Sequence, residues 1–457
     1  MSKSDIEPEP APRRRMGHEH PTIAQARAAT PLGAPVNLSS DWLHALCVEC
    51  GADDAGFVNM DHPDIQDQRS DILASFPRAS ALISFVCRMN PHSIRSPFRS
   101  VSNSEFHHTG RHVDEVGRDI ARRLIELGVA AMNEPMAFPQ EFAEFPAKKG
   151  WIVSHKPVAV AAGLGKMGIH RNVIHPKFGN HILLGTVVVD REIESPKRTL
   201  EYNPCLECKL CVAACPVGAI SPDGYFSFSA CQTHNYREFI GGFVDWVDGI
   251  VTSGSMNEYR DRFTDSETVS MWQSLSYGPN YKAAYCMAVC PAGEDVIGPF
   301  LADRIEYVRE VVRPLQEKVE TIYVGAGSDA ERYVGSRFPH KIPKVVKGGI
   351  TPNTAESIFF GLKLLFQRGN AKNVKGVFQF TLTGREPLVR TVTISKGNLE
   401  ISEGLVGKPD VSIFADSDTL VGLLARRRNP FLALARGKVR IKGKVRLMRD
   451  FQRCFQV

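Results

Sequence analysis

The sequence predicts three folded units in a row: an α/β domain, a cysteine-rich α+β module and a second α+β domain. Strand-like and helix-like stretches alternate from about 37 to 195, seven of the eleven cysteines fall between 205 and 290, and strand periodicity resumes after Lys347-Gly348-Gly349. The length of 457 residues agrees with about three domains.

Residues 1–36 mix prolines with charges, then carry Arg13-Arg14-Arg15, His18 and His20 with no apolar stretch after them. They read as a disordered tail and not an export signal, which makes the cytoplasm the expected location. No window approaches the roughly 18–20 uninterrupted apolar residues of a membrane span, so no transmembrane segment is expected. The net charge of +6 is spread along the chain, leaving no compact basic footprint, and no nucleic-acid partner is expected.

The first domain covers 37–195. Ser39-Ser40-Asp41 reads as a helix start before Trp42, Leu43, Leu46 and Cys47, and Gly51 ends that helix. Ala81 to Cys87 is a buried strand, Val113 to Leu127 a helix closed by Gly128, and Ile182 to Val189 a second strand. Between them, Gly163-Leu-Gly165-Lys-Met-Gly168 implies a tight turn, followed by Asn172 and by His175-Pro176-Lys-Phe-Gly179.

The module covers 196–305, and a helical, charge-mixed connector is expected over 306–347. In the last domain, 348–457, Val377 to Leu382 and Val389 to Ile394 are strands, Lys396-Gly397-Asn398 is a turn, and Leu399 with Ile401 resumes the meander. A helix over Ser417 to Arg426, another from Asn429-Pro430, and a strand within Gly437 to Gly443 complete it.

The cysteines carry the chemistry. Cys205-x2-Cys208-x2-Cys211-x3-Cys215-Pro216 is the bacterial ferredoxin run, in which the fourth cysteine ligates a different cluster from the first three. Cys205, Cys208 and Cys211 therefore need a distant partner, and Cys290, followed by Pro291, supplies it for a [4Fe–4S] cluster. Cys215 points to a second cluster with Cys231 and Cys286. Zinc on the first four cysteines is the alternative, though zinc sites rarely use this run. The usual spacing puts an eighth cysteine at 283, where this chain has Ala283. The second cluster is thus a three-iron form, a four-iron form with another ligand such as His234, or absent; three protein thiolates are the expectation. Cys47, Cys50, Cys87 and Cys454 read as core.

These residues together resemble the cobalamin-dependent reductase superfamily, which contains epoxyqueuosine reductases and reductive dehalogenases. The resemblance spans roughly 40–305 and rests on Gly163-Leu-Gly165-x2-Gly168, Asn172, Ile174, Pro176-x-Phe178-Gly179, Leu184-Gly185, Asp190, the Cys205 run, Cys231, Cys286 and Cys290. It implies a nitroreductase-related α/β domain, a ferredoxin-like cluster module, and a base-off cobalamin beside the first cluster. The segment with Gly163, Gly165, Gly168, Asn172 and Gly179 would lie at the cofactor pocket. A separate ferredoxin or flavodoxin would deliver electrons, because no dinucleotide motif is evident. Where epoxyqueuosine reductases carry a Gly-Arg-Asp stretch containing their acid, this chain reads Gly110-Arg111-His112. An imidazole with pKa near 6.5 still suits proton transfer, making His112 the candidate catalytic residue, ahead of His107 and His108. Ile169-His170-Arg171-Asn172 departs from the family's Gly-Lys-Asn and, with Ala283, points away from tRNA modification.

The last 110 residues resemble sterol-carrier-protein-type lipid-binding domains through Lys375-Gly376-Val377-Phe378-Gln379-Phe380, Thr383-Gly384, Lys408-Pro409-Asp410-Val411, Asn429-Pro430 and Gly437-Lys438-x2-Ile441-Lys442-Gly443. That implies an apolar tunnel and a lipophilic small molecule. The combined expectation is an iron–sulfur oxidoreductase, corrinoid-dependent, acting on a lipophilic substrate. A corrinoid-free electron-transfer protein and a redox-sensing lipid-binding protein are the alternatives.

Overall fold

The computed structural model describes residues 21–28, 38–141, 150–194, 200–282, 284–347, 352–425 and 427–455. Within the expected disordered tail, Pro21–Ala28 is helical, which corrects that stretch; most of the rest of the tail lies outside the described residues.

Ser39 caps α1 (Ser40–Glu49), its hydroxyl accepting the Trp42 N–H at 3.4 Å. Gly51 then turns the chain at φ +106°, which favours glycine, into β1 (Asp54–Asn59). The apolar run forms β2 (Ala81–Arg88), buried at every position but Arg88. After α2 (Pro91–Arg95) and α3 (Arg99–Glu126) comes β3 (Ala131–Asn133). Helix α4 (His155–Ala161) leads into the hairpin of β4 (Lys166–Met167) and β5 (Val173–Ile174), and then into β6 (Ile182–Val189). The sheet runs β1-β2-β6-β3 and all its pairs are antiparallel. The mixed α and β content matches expectation, but the helices between strands are not parallel crossovers. Helix α3 begins fourteen residues before the predicted Val113 and lays Val113, Val116, Ile120 and Leu124 on the sheet. Gly185 of β6 makes room for the Phe85 ring of the paired strand β2, since a Cβ there would stand 2.1 Å from that ring.

The cysteine module is not the expected α+β unit. Residues 200–282 and 284–305 form helices and loops with one β-bridge, Ile220 to Phe226. Two-residue gaps between cysteines hold the first part in loops. Between Cys231 and Cys286 the chain spends its length on helices Gly241–Thr252, Met256–Arg262 and Asp265–Tyr277, the last started by a Thr264/Glu267 capping box. Cys231 itself lies on α5 (Phe228–Asn235).

The connector is also not purely helical. β7 (Thr321–Gly325) and β8 (Ile342–Val346) pair in parallel around the helix Asp329–Arg337, and Ile322 and Val324 are fully buried.

In the last domain α6 (Ala355–Leu365) precedes β9 (Lys375–Thr383), β10 (Leu388–Ser395), β11 (Asn398–Glu403), β12 (Val411–Asp416) and β13 (Val439–Gly443). Their order is β11-β10-β9-β12-β13, with β12 parallel to β9. The helix predicted to Arg426 ends at Leu424. Phenylalanines fill the interior: Phe451 lies 4.6 Å from Phe378 and 4.7 Å from Phe455, centroid to centroid. This domain leans on the cysteine module. Buried Gln367 donates from Nε2 to Ser229 of α5 at 3.0 Å and accepts the Asp329 N–H at 2.9 Å, while its own N–H donates to the Cys454 carbonyl at 2.8 Å. Helix α6 packs beside α5, so the C-terminal domain touches the helix that carries Cys231.

Candidate metal centre

The seven module cysteines fall into the two sets that their spacing suggests. Cys205, Cys208, Cys211 and Cys290 line one small hollow together with Ile169, His170 and Pro291. Cys215, Cys231 and Cys286 form the second set. Burial raises the pKa of Cys231 and Cys286 above the thiol value, and Cys286 and Cys215 add to the rise at Cys231. Among the described residues, no three of His, Cys, Asp and Glu converge on a point that would hold a single ion. Zinc needs its thiolates about 2.3 Å from one centre; the ferredoxin-type run of Cys205, Cys208, Cys211 and Cys215 suits a polynuclear cluster.

The backbone around them supports the same fit. Among the described residues, four of the five non-glycine residues at positive φ are Arg171, Glu207, Lys209 and Ala284, which flank these loops; the fifth, Lys396, is in the β10–β11 turn. Strained left-handed residues in such loops turn N–H groups inward, the arrangement that cradles anionic iron–sulfur sites. The Ala219 N–H donates to Cys215 Sγ at 3.3 Å, and amides at Leu210, Ala292 and Met287 pull down the pKa of Cys208, Cys290 and Cys286 against burial. Burial nonetheless pushes Cys290 up to about 12. Folding alone keeps such thiols protonated, and iron would bind them as thiolates.

The Gly-rich segment lies against this centre, but its glycines serve the chain's own packing. Gly163 closes α4 at φ +75°. A Cβ on Gly165 would stand 2.4 Å from the Ile174 carbonyl oxygen, and one on Gly168 2.8 Å from Ile174 Cδ1. On Gly179, at φ +66°, it would stand 2.0 Å from the Ala292 carbonyl oxygen. Gly179 therefore presses the segment onto the loop after Cys290-Pro291.

Asn172 is engaged differently. Its Oδ1 accepts from Lys156 Nζ at 2.9 Å, and the Arg171 carbonyl accepts from the same amine at 2.9 Å. Lys156, on α4, is solvent-accessible, yet protein crowds its amine so closely that burial pushes the pKa down. Cys286 and Cys231 are the nearest groups that favour its charged form. Sequence reasoning missed Lys156 because a lone lysine at a helix start carries no motif. Tyr236 and Tyr281 border the same thiols, and burial holds both phenols protonated.

His112 is corrected as the catalytic candidate. It sits midway along α3, exposed, with Nε2 3.3 Å from the Gly51 carbonyl oxygen. His107 lies about 140° around the same helix and points the other way: Nε2 is 2.8 Å from the Pro279 carbonyl oxygen, and the ring stacks on Phe239, which meets Tyr236 and Tyr281. His108 contacts Arg111 at the surface. Ala283 lies outside the described residues. His234 does not suit a fourth ligand, because its Nδ1 accepts the Tyr323 N–H at 3.2 Å. The neutral ring then carries its proton on Nε2 and offers no lone pair there. Cys47, Cys87 and Cys454 are fully buried core residues, as expected.

His234 yields a pH prediction. Burial, reinforced by Lys282, Lys341 and Arg237, pushes it down to about 3. Its native state stays neutral while the unfolded imidazole, near 6.5, gains a proton, so stability present at pH 7 is lost as pH falls from about 6.5 toward 3. At pH 5 the loss is about 2 kcal/mol. Urea unfolding of the apo-protein at pH 7 and pH 5 should show that extra loss in the wild type and not in His234→Gln; equal losses would refute it.

Comparisons with known proteins bear on both ends of the chain. Residues 363–456 match the SCP-2 sterol transfer family. An epoxyqueuosine reductase of Vibrio cholerae is 30% identical over 89 residues, 20% of this chain and 24% of that protein, so the match spans about a quarter of the relative. A solved epoxyqueuosine reductase from Streptococcus thermophilus aligns over 60% of this chain and 74% of its own, at 16% identity and TM-score 0.34. An epoxyqueuosine reductase solved with a tRNA-Tyr epoxyqueuosine-modified tRNA stem loop aligns over 71% of this chain and 84% of its own, at 14% identity and TM-score 0.36. Among the described residues no helix is long and apolar enough to cross a membrane.

Proposed function

We propose that this chain, which joins a stretch similar to epoxyqueuosine reductases to an SCP-2 domain, is an iron–sulfur oxidoreductase of the corrinoid-dependent kind acting on a lipophilic substrate. The observation that carries the reading is the meeting of two thiol sets at one Gly-rich segment: His170 borders the first, and Lys156, held by Asn172, faces the second. A [4Fe–4S] cluster on Cys205, Cys208, Cys211 and Cys290, and a four-iron or three-iron cluster on Cys215, Cys231 and Cys286, would pass on electrons from a ferredoxin or flavodoxin.

A corrinoid held beside Lys156, Arg171 and Asn172, which hydrogen bonds join, would supply low-potential reduction at cobalt. Lys156 stores a proton at Nζ, and its lowered pKa makes that proton easier to give to a reduced substrate. Asn172 and the Arg171 carbonyl fix the direction in which the amine points. Tyr236 and Tyr281, kept neutral by burial, limit water near the second thiol set. The SCP-2 match and the phenylalanine-lined interior support an apolar guest for the C-terminal domain.

Protein purified without oxygen and reconstituted with iron, sulfide and hydroxocobalamin is expected to hold two clusters and stoichiometric cobalt, with a base-off corrinoid spectrum. Two clusters with no retained cobalt would return the chain to electron relay, and absence of iron would remove the reading. Turnover with lipid extracts, set beside turnover with tRNA, separates the two substrate classes.

A further inference from the structure

The positive charge of the chain is not evenly spread, which corrects the expectation of no compact basic footprint. Between Arg426 and Arg449 the sequence carries ten lysines and arginines and no aspartate or glutamate. Without those ten, the remaining 46 of the 56 basic residues are outnumbered by the 50 acidic ones. One short stretch of the last domain therefore holds the whole excess.

The fold turns this stretch outward and sets an apolar edge within it. Helix α7 (Ser417–Leu424) leads to the short helix α8 (Pro430–Ala435) and then to β13, which closes one edge of the sheet. Asn429 starts α8, its Oδ1 accepting the Phe431 and Leu432 N–H groups at 2.9 and 3.3 Å. Ala433 is the residue of α8 that is buried, packing into the apolar interior of the domain. Phe431, Leu432 and Leu434 are left 80%, 51% and 48% exposed. A scattered exposed leucine is ordinary, but three large apolar side chains on one six-residue helix form a continuous edge in water.

Cations flank that edge on both sides along the chain: Arg427 and Arg428 before α8, Arg436 and Lys438 after it, all exposed. Arg428 donates to Thr419 Oγ1 at 2.7 Å, while Arg427, Arg436 and Lys438 enter no ion pair among the described residues. Of the acids that border the stretch in the fold, Asp410 pairs with Lys444 at 2.8 Å, and Asp416 accepts the N–H and the hydroxyl of Thr419. Along β13, Val439 and Ile441 pack on the interior, and the alternate residues Arg440 and Lys442 are exposed.

This pairing of charge with an apolar edge selects among anionic partners. A nucleic acid or an acidic protein surface answers the charge and leaves Phe431 and the leucines in water. An anionic lipid surface answers both, with headgroups on the cations and acyl chains around the edge. We propose that α8 and its flanking basic residues dock the C-terminal domain on an anionic lipid bilayer, with Phe431, Leu432 and Leu434 entering the boundary between headgroups and acyl chains. Because Ala433 packs inward from the same helix, docking sets the bilayer against the wall of the apolar interior. The proposal stands apart from the cluster and corrinoid reading.

The test is sedimentation of the full-length protein with phosphatidylcholine vesicles, with and without phosphatidylserine, over a series of salt concentrations. Binding is expected to be about tenfold tighter or more with phosphatidylserine and to weaken as salt rises. Phe431→Ser and the double variant Arg427→Gln/Arg436→Gln should each weaken it about tenfold. These side chains are exposed, and urea unfolding checks that each variant keeps wild-type stability. Val251→Ser, which removes an apolar side chain 76% exposed on the cysteine module, should bind as wild type does. Phe431→Trp gives a second readout: it should retain binding and add blue-shifted emission on phosphatidylserine vesicles, and no added shift would place the edge outside the bilayer and overturn the proposal. Binding that is equal on both vesicle types, or unchanged by the substitutions at 427, 431 and 436, overturns it as well. Binding of a stem-loop RNA that needs Arg427 and Arg436 but not Phe431, with no binding to vesicles, would reassign the face to nucleic acid.

Discussion

The Cys290→Ala protein is expected to reconstitute with roughly half the wild-type iron, keeping the signal of the second cluster and losing that of the first. Cys290 is 7% exposed and packs with Ile174, Ala292 and Cys205, and it shares the hollow with Cys205, Cys208 and Cys211. Nothing else lining that hollow offers a sulfur, because its other residues are Ile169, His170, Leu206, Glu207, Lys209, Pro291 and Ala292. Loss of the fourth thiolate leaves three on a loop whose Glu207 and Lys209 are already held at positive φ, so the remaining ligands gain no compensation. Cys454→Ala is the matched control: that thiol is equally buried but donates to the Asp450 carbonyl in the last domain. Its iron content should equal wild type. Equal iron in both variants would show that Cys290 is not a ligand.

The second large effect is expected at Gly179. A methyl group there must fit 2.0 Å from the Ala292 carbonyl oxygen and 3.1 Å from Val296 Cγ2, at a φ of +66°. The left-handed backbone alone costs a non-glycine residue about 1–3 kcal/mol, and the overlap with a carbonyl forces the two loops apart. Gly179→Ala should therefore unfold at lower denaturant and also fail to load the first cluster, since the loop it displaces carries Cys290. Gly224→Ala provides the comparison: φ is +83°, but nothing lies within 4 Å of its Cβ. It should show the backbone cost without the loss of iron. If Gly179→Ala loads both clusters normally, the close approach does not position Cys290.

Much of this was legible in one dimension. The Cys205 run, Cys231, Cys286 and Cys290 could be sorted into two sets by spacing, because thiolates on a cubane tolerate few loop lengths. Strands β2, β6, β9 and β10, the Ser39 cap and the Asn429-Pro430 helix start were visible because each depends on local periodicity or on a capping side chain. The connector's strands were misread because five-residue strands flanking a charged helix leave little periodic signal. His112 looked suitable by chemistry and by its place in a motif, yet the side of α3 it occupies carries it to Gly51.

What the sequence by itself determined is the pattern of strands and caps at either end of the chain and the SCP-2-like last domain, since both are written in residue identity and in short-range spacing. Tertiary structure decided which charges meet. Lys156 reaches Asn172 and the second thiol set, Arg95 and Arg99 stand on Tyr307 and Tyr285, and Gln367 ties the last domain to α5, all across separations that no local pattern encodes. The physical reason is that a buried charge or amide is satisfied by whatever the fold brings within a few ångströms, and that neighbour is set by packing of whole elements rather than by the residues beside it in the chain.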